Sequence, residues 1–244
     1  MTDGLLLLHA WPLDTRMWQP QRLALPPRLP VAAPSHPGFG GTPAVGDVMT
    51  MRASADRALA AMDERGIDRA VVCGLSIGGY IAFELWRRAR ERVVGLVLAN
   101  TRPGADTPEA REKRLATADR LRSEGNVLAT EPPALLAPDA PGDLRELVRS
   151  MIADQPAEAI AAALLGMAER PDSTPDLATI DVPALVITST QDQLIAPEIS
   201  AEMAQRIPSA GLETIEGVGH LTNLEAPEAF NRLLLDHVAA CGVA

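Results

Sequence analysis

Two cysteines in 244 residues are too few for a disulfide scaffold, and Cys73 and Cys241 lack the C-x-x-C spacing of a metal or redox site. Both are expected to be free thiols, which fits a reducing, cytoplasmic setting. Basic residues are also in deficit. Lys and Arg number 22 against 32 Asp and Glu, and the formal charge of -10 would repel a phosphate backbone. No Lys/Arg-rich stripe with interleaved aromatics offsets that repulsion locally, so nucleic acid is not expected as a partner. Long apolar runs are missing as well. The run 5–8 is too short for the apolar part of a signal peptide and follows Asp3 rather than basic residues. No segment approaches the roughly 20 apolar residues needed to cross a bilayer, so no membrane partner is expected.

What is present suffices for a sizeable core: 47% of the residues are hydrophobic and 22% charged, which excludes intrinsic disorder. The length exceeds the commonest domain size, yet α/β folds often reach it as one domain carrying an insertion. Short apolar runs at 5–8, 30–33, 70–73, 93–99 and 184–188, with a weaker one at 212–215, lack strict polar alternation. They suit strands covered on both faces. Segments 54–65, 77–89, 197–206 and 227–239 have helical spacing, and two of them carry proline in the first turn, where a missing N–H is tolerated. This alternation is the mark of βαβ units on a parallel sheet of about six strands. The first run starts so early that no strand is expected before it.

From 103 to 181 the alternation stops. Helical stretches at 108–123, 143–153 and 156–169, broken by Pro132, Pro133, Pro138 and Pro141, suggest a helical cap inserted after the fourth strand, with 1–102 and 182–244 forming the core. Leu135, Leu136, Met151, Ile152, Leu164, Leu165 and Met167 are expected to face inward, most of them simply packing the cap onto the sheet.

Chemistry concentrates at Gly74-Leu75-Ser76-Ile77-Gly78-Gly79, between the third strand and the helix that follows. A sharp strand-to-helix turn with serine at its apex needs small neighbours, exposes the hydroxyl, and sets helix N–H groups behind it. The serine needs a base to remove its proton. Of four histidines, His220 lies in a loop after the last strand and can reach over the sheet edge. His36 falls in a glycine-rich loop and is expected to be structural, while His237 belongs to the last helix and is expected to be solvated. Asp192 is the first acid after the fifth strand and gives the order Ser, Asp, His. The backbone N–H groups of Ile77 and Trp11 are the candidate oxyanion donors. Cys73 falls on the strand and is expected in the core rather than as a nucleophile. Arg102, just past the fourth strand, is a candidate clamp for a substrate carboxylate. Its alternative is an ion pair with a cap acid such as Asp106.

These motifs resemble the α/β-hydrolase fold superfamily over nearly the whole chain. His9-Ala10-Trp11 is similar to its His-Gly-x oxyanion turn, Pro37-Gly38-Phe39-Gly40 to its Pro-Gly-x-Gly loop, 74–79 to its nucleophile elbow, and Gly219-His220-Leu221 with Asn223-Leu224-Glu225 and Pro227 to its histidine loop. Residues 7–14 with Met17-Trp18 resemble the branch holding 3-oxoadipate enol-lactonases, aryl esterases and cofactor-free haloperoxidases. There are three departures: Ala10 replaces a glycine, Ser189 stands where glycine is frequent, and the family's N-terminal antiparallel pair is expected to be missing or reduced. The resemblance implies a serine hydrolase that cleaves a small acyl substrate, an ester or lactone, without a cofactor or metal. Alternatives are perhydrolysis at the same site, to which Pro12 is suited in that branch, carbon–carbon bond hydrolysis, and a non-catalytic ligand-binding role.

Overall fold

Side chains alternate across a strand, so four consecutive leucines can be buried only if both faces of their strand are covered. Leu5, Leu6, Leu7 and Leu8 are all fully buried in β1 (Asp3–Leu8). The computed structural model describes residues 1–243 and continues the sheet with β2 (Val31–Ala32), β3 (Arg69–Leu75), β4 (Val93–Ala99), β5 (Ala184–Ser189) and β6 (Ala210–Ile215). Their order is β2-β1-β3-β4-β5-β6, and every pairing is parallel. The expected strands lie within two residues of these, and no antiparallel pair occurs among the described residues. β2 is shorter than the run 30–33 because it is an edge strand flanked by Pro30 and Pro34, neither of which can donate to a ladder.

Helices α1 (Gln19–Ala24), α2 (Met51–Glu64), α3 (Ile77–Ala89), α7 (Pro197–Arg206), the short α8 (Thr222–Glu225) and α9 (Pro227–Ala240) connect the strands or follow the last one. α2 begins three residues before the hydrophobic spacing does, because the Thr50 hydroxyl accepts a hydrogen bond from Ala53 N–H at 3.1 Å and caps it. α1 and the 3-10 turn Thr15–Trp18 were not legible from periodicity. The turn is started by Asp14, whose carboxylate accepts from Arg16 N–H, and Trp18 is buried 6.0 Å from the ring of Phe230.

Between β4 and β5 the described residues form no strand. They form α4 (Pro108–Glu124), α5 (Gly142–Ala153) and α6 (Ala157–Ala168). α4 is capped by Thr107, which accepts from Ala110 N–H, and ends at Gly125 with φ +84. α6 is apolar nearly all round and correspondingly buried. Leu135, Leu136, Met151, Ile152, Leu164 and Met167 are buried as expected, with Leu165 partly so. A buried ion cluster fastens the insertion. Asp106 receives Arg170 at 2.7 Å and Arg114 at 2.6 Å, and the Arg170 guanidinium lies 4.3 Å over the ring of Tyr80 on α3. Burial pushes the Asp106 carboxyl up, but the two guanidiniums outweigh it and hold it below the usual range. Unpaired, such a charge could not be buried.

α6 packs closely on the segment before α2: Met49 N–H donates to Ala162 O at 3.0 Å, and a Cβ on Gly166 would overlap the Met49 carbonyl. Both partners are backbone, so Gly166→Ala should destabilise by about 1–3 kcal/mol. That corresponds to a melting temperature lower by roughly 2–10 °C in thermal denaturation. An unchanged melting temperature would mean that α6 slides freely.

Candidate active site

The site grows from the junction of β3 and α3, which are separated by one residue. Ser76 has φ +58 and ψ -115, a conformation that L-residues avoid unless their surroundings over-determine it. Here they do. Ser76 N–H donates to Ala99 O at 3.0 Å, and its carbonyl accepts from Gly79 N–H at 2.9 Å and the Thr101 hydroxyl at 2.8 Å. A Cβ on Gly74 would overlap Gly78, and one on Gly78 would overlap the Leu8 carbonyl. The two glycines therefore let strand, turn and helix approach closely, as their spacing implied. Ser76 remains partly accessible, with Ile77 opening the helix behind it.

Two strands away, β5 delivers Asp192 and β6 leads to His220. The Asp192 Oδ1 atom accepts from the N–H groups of Leu194 at 2.8 Å and Ile195 at 3.0 Å. Oδ2 accepts from His220 Nδ1 at 2.8 Å and from Asn100 Nδ2 at 2.9 Å. Burial pushes the carboxyl up, but these donors, led by His220, hold it below the usual carboxylate range. An ionised Asp192 keeps the imidazole proton on Nδ1, which leaves Nε2 with a bare lone pair. Nε2 is buried and makes no hydrogen bond to Ser76 or any other described residue. Bonds of this kind often tighten only when substrate binds.

The histidine loop is held against the insertion. Leu221 N–H donates to Leu135 O at 3.0 Å, and Glu225 accepts from Gly219 N–H at 3.0 Å and Ala137 N–H at 2.8 Å. Burial raises the Glu225 carboxyl, and these backbone donors offset part of the rise.

Trp11 follows β1, the neighbour of β3, so the candidate oxyanion donors Trp11 and Ile77 stand at the carboxyl ends of adjacent strands. The strand order reverses at this point, where open α/β sheets bind ligands. The Trp11 indole donates to Ile160 O at 3.2 Å and so touches α6. Ala10 in place of glycine is accommodated: it is fully buried and its N–H points at Met17 Sδ, 3.1 Å away. Beneath this turn His9 and His36 stack with ring centroids 3.7 Å apart. His9 Nε2 accepts from His36 N–H at 2.9 Å, and the His36 Nε2 lies 3.0 Å from His9 O. Burial lowers the His9 pKa to about 4 and that of His36 well below the usual value, so both are neutral supports.

Two expectations are corrected. Arg102 does not pair with Asp106, which is taken by Arg114 and Arg170. Its guanidinium donates instead to Leu194 O at 2.9 Å, bracing the turn after Asp192, and borders a depression shared with Glu202 and Arg206. His237 is half-buried rather than solvated, with Cys241 Sγ 3.6 Å from its Nε2, because α9 turns that face toward β4. Ser189, which stands where the family frequently has glycine, donates its hydroxyl to Gly219 O at 2.6 Å and so links the end of β5 to the histidine loop. Cys73 is fully buried, which pushes its thiol up. Asn100, Thr222 and Gln155 were not singled out in the sequence. Gln155 bridges Gly40 N–H and the Asp14 carboxylate, linking α5 to the turn after β1. The available signal for Asn100 was its place one residue past β4, on the edge that carries the site.

A model described as the alpha/beta hydrolase family matches residues 5–233. The chain is 32% identical to a pimeloyl-[acyl-carrier protein] methyl ester esterase of Aromatoleum aromaticum, over 96% of this chain and 97% of that one. Among solved structures it is similar to a thermophilic esterase from Thermogutta terrifontis, with 38% identity and a TM-score of 0.93 over 99% of this chain and 92% of the other. It is also similar to the enol-lactonase from Burkholderia xenovorans LB400, with 28% identity and a TM-score of 0.87 over 98% and 92%.

Two predictions follow from the geometry. Asp192→Asn, with an amide facing Nδ1, should lower kcat by up to about 10⁴ by disfavouring the needed tautomer. Full activity in steady-state assays would remove Asp192 from the site. The buried His9 bears on stability. Its folded pKa of about 4 lies below the ordinary value of about 6.5, so between these the unfolded chain binds a proton that the native state does not. Stability from His9 is full above about pH 6.5 and falls by up to about 3 kcal/mol toward pH 4. Urea titrations should show a smaller loss on acidification for His9→Asn than for the parent; equal losses would refute the assignment.

Proposed function

The chain belongs to the alpha/beta hydrolase family, and from that premise we propose that it hydrolyses a carboxylic ester or lactone through an acyl-enzyme on Ser76. The observation that carries this reading is the buried His220–Asp192 hydrogen bond of 2.8 Å, which leaves Nε2 as a base with no other partner on the edge where Ser76 is presented. The similarity to an esterase at 38% identity supports ester chemistry, and that to an enol-lactonase supports the lactone variant.

In this mechanism the Ser76 hydroxyl attacks the acyl carbonyl while its proton passes to His220 Nε2. Asp192 stabilises the resulting imidazolium through Nδ1 without itself taking the proton. The developing oxyanion is received by the N–H groups of Trp11 and Ile77, and donors of this kind are worth about 2.7–4 kcal/mol each. Collapse breaks the acyl–oxygen bond, and His220 returns the proton to the leaving alcohol. Water then repeats the sequence on the acyl-enzyme, with His220 as base and Ser76 as leaving group. A lactone follows the same path, the leaving oxygen staying tethered to the acyl chain.

Purified protein should turn over nitrophenyl esters or lactones and be labelled covalently by a fluorophosphonate probe. Ser76→Ala should abolish both while leaving the circular dichroism unchanged, since a hydroxyl at a partly open turn contributes little to packing. Labelling that persists in Ser76→Ala would falsify the assignment. A labelled but ester-inactive protein would direct attention to peracid formation with hydrogen peroxide or to carbon–carbon bond substrates. Absence of labelling would favour a binding role.

A further inference from the structure

β4 ends at Ala99, and the next residue, Asn100, has φ +44. Asparagine is among the few residues with a Cβ that visit this region readily. Asn100 is also fully buried, and a buried carboxamide must have both its N–H bonds and its carbonyl satisfied. All three are. Nδ2 donates to Asp192 Oδ2 at 2.9 Å and to Ser189 Oγ at 2.8 Å, and Oδ1 accepts from Thr222 Oγ1 at 2.9 Å. Ser189 Oγ passes its own proton to Gly219 O at 2.6 Å. Asn100 N–H donates to Ile187 O at 2.9 Å, tying the residue to β5, the strand that leads to Asp192.

The connectivity is a closed ring. Gly219 and Thr222 flank His220 and Leu221, so one carboxamide holds the acid directly and both sides of the histidine loop, one through Ser189 and the other through Thr222. We infer that Asn100 is a positioning residue that fixes the His220–Asp192 pair in its working geometry, with Ser189 and Thr222 as its two arms. This rests on the assignment of Ser76, Asp192 and His220 given above.

The physical reason is rotational freedom. The Asp192 carboxylate is clamped by two backbone N–H groups on Oδ1 and by Asn100 on Oδ2. Without the carboxamide, Oδ2 is held by His220 alone, Thr222 loses its tie to the residue that follows β4, and the Ser189 hydroxyl still bonds Gly219 O but is no longer oriented by an Asn100 donor. The loop keeps its bonds to Leu135 and Glu225, but the imidazole tilt, and with it the aim of Nε2, is then fixed less sharply relative to the acid. Asn100 has no exposed surface and cannot touch substrate, so its loss should be felt in the chemical step rather than in binding.

The test uses three variants: Asn100→Gly, which keeps the positive φ accessible, Ser189→Ala and Thr222→Val. With an ester that the parent enzyme turns over, Asn100→Gly should lower kcat by about 10²-fold, the size of effect a small misplacement of reacting groups produces, with KM within about threefold. Each arm variant should lower kcat by about 2–10-fold, again with little change in KM. The proton shared by His220 Nδ1 and Asp192, in a bond of 2.8 Å, should give a far-downfield NMR resonance. It should be sharp in the parent and broadened or lost in Asn100→Gly, whereas a purely structural role would not single it out. Should Asn100→Gly fail to fold, the two arm variants decide by the same readouts. Values of kcat within twofold of the parent, with the resonance intact in every folded variant, would overturn the proposal. A parent enzyme inactive on every ester and lactone would instead count against the function assigned above, and the resonance alone would then decide whether the ring orders the pair.

Discussion

A serine backbone forced to φ +58 between a parallel strand and a helix is the constraint on which the rest of this structure depends. Such a conformation costs on the order of 1–3 kcal/mol and persists only where neighbours leave no alternative. Here the neighbours are Gly74 and Gly78, whose lack of side chains lets α3 press onto Leu8, and Ala99 and Thr101, whose hydrogen bonds hold the apex from the β4 side. The turn aims one hydroxyl outward at the carboxyl edge of the sheet and sets the N-terminus of α3 behind it. Asp192, His220 and the candidate oxyanion donors are then arranged around a point already fixed by packing.

The second organising feature is how the helical insertion meets that edge. Three loops of this edge are bonded to it. Trp11 reaches Ile160, Gly40 reaches Gln155, Leu221 reaches Leu135, and Glu225 joins Gly219 to Ala137. These contacts are polar and directional, and each has a backbone group on at least one side, so they fix loop positions more sharply than apolar packing could. Buried carboxylates follow the same logic. Asp106, Asp14 and Asp192 are each pushed up by burial and brought back below the usual range by dedicated donors, and each therefore serves as a fixed charge at a fixed place.

Much of this was legible from the chain alone, and for identifiable reasons. Runs such as 93–99 and helices such as 77–89 declare themselves because burial on both faces, or on one helical stripe, imposes a period on the residues. The elbow declares itself because close approach excludes side chains, so glycine must stand at 74 and 78. Ser76 and His220 were marked by their places on loops at one end of the sheet. The cap stretches were legible as helices. Their bonds to the loops of the site were not, since nothing in residues 132–138 states that Leu135 O will meet Leu221 N–H.

The chain alone determined the succession of the strands and longer helices, the turn at Ser76 and the placing of Ser76, Asp192 and His220 on successive loops, because each of these depends on neighbours close in the chain. Tertiary structure decided which groups bond. Arg102 could have paired with Asp106, but Arg170, buried against the ring of Tyr80, and Arg114 take that carboxylate. Asn100, Ser189 and Thr222 carry no motif, yet they close a ring around Asp192 and His220 from positions as much as 122 residues apart. A hydrogen bond requires two polar atoms to within a few tenths of an ångström, and that placement is set by how strands and loops stack in space, which no local period records.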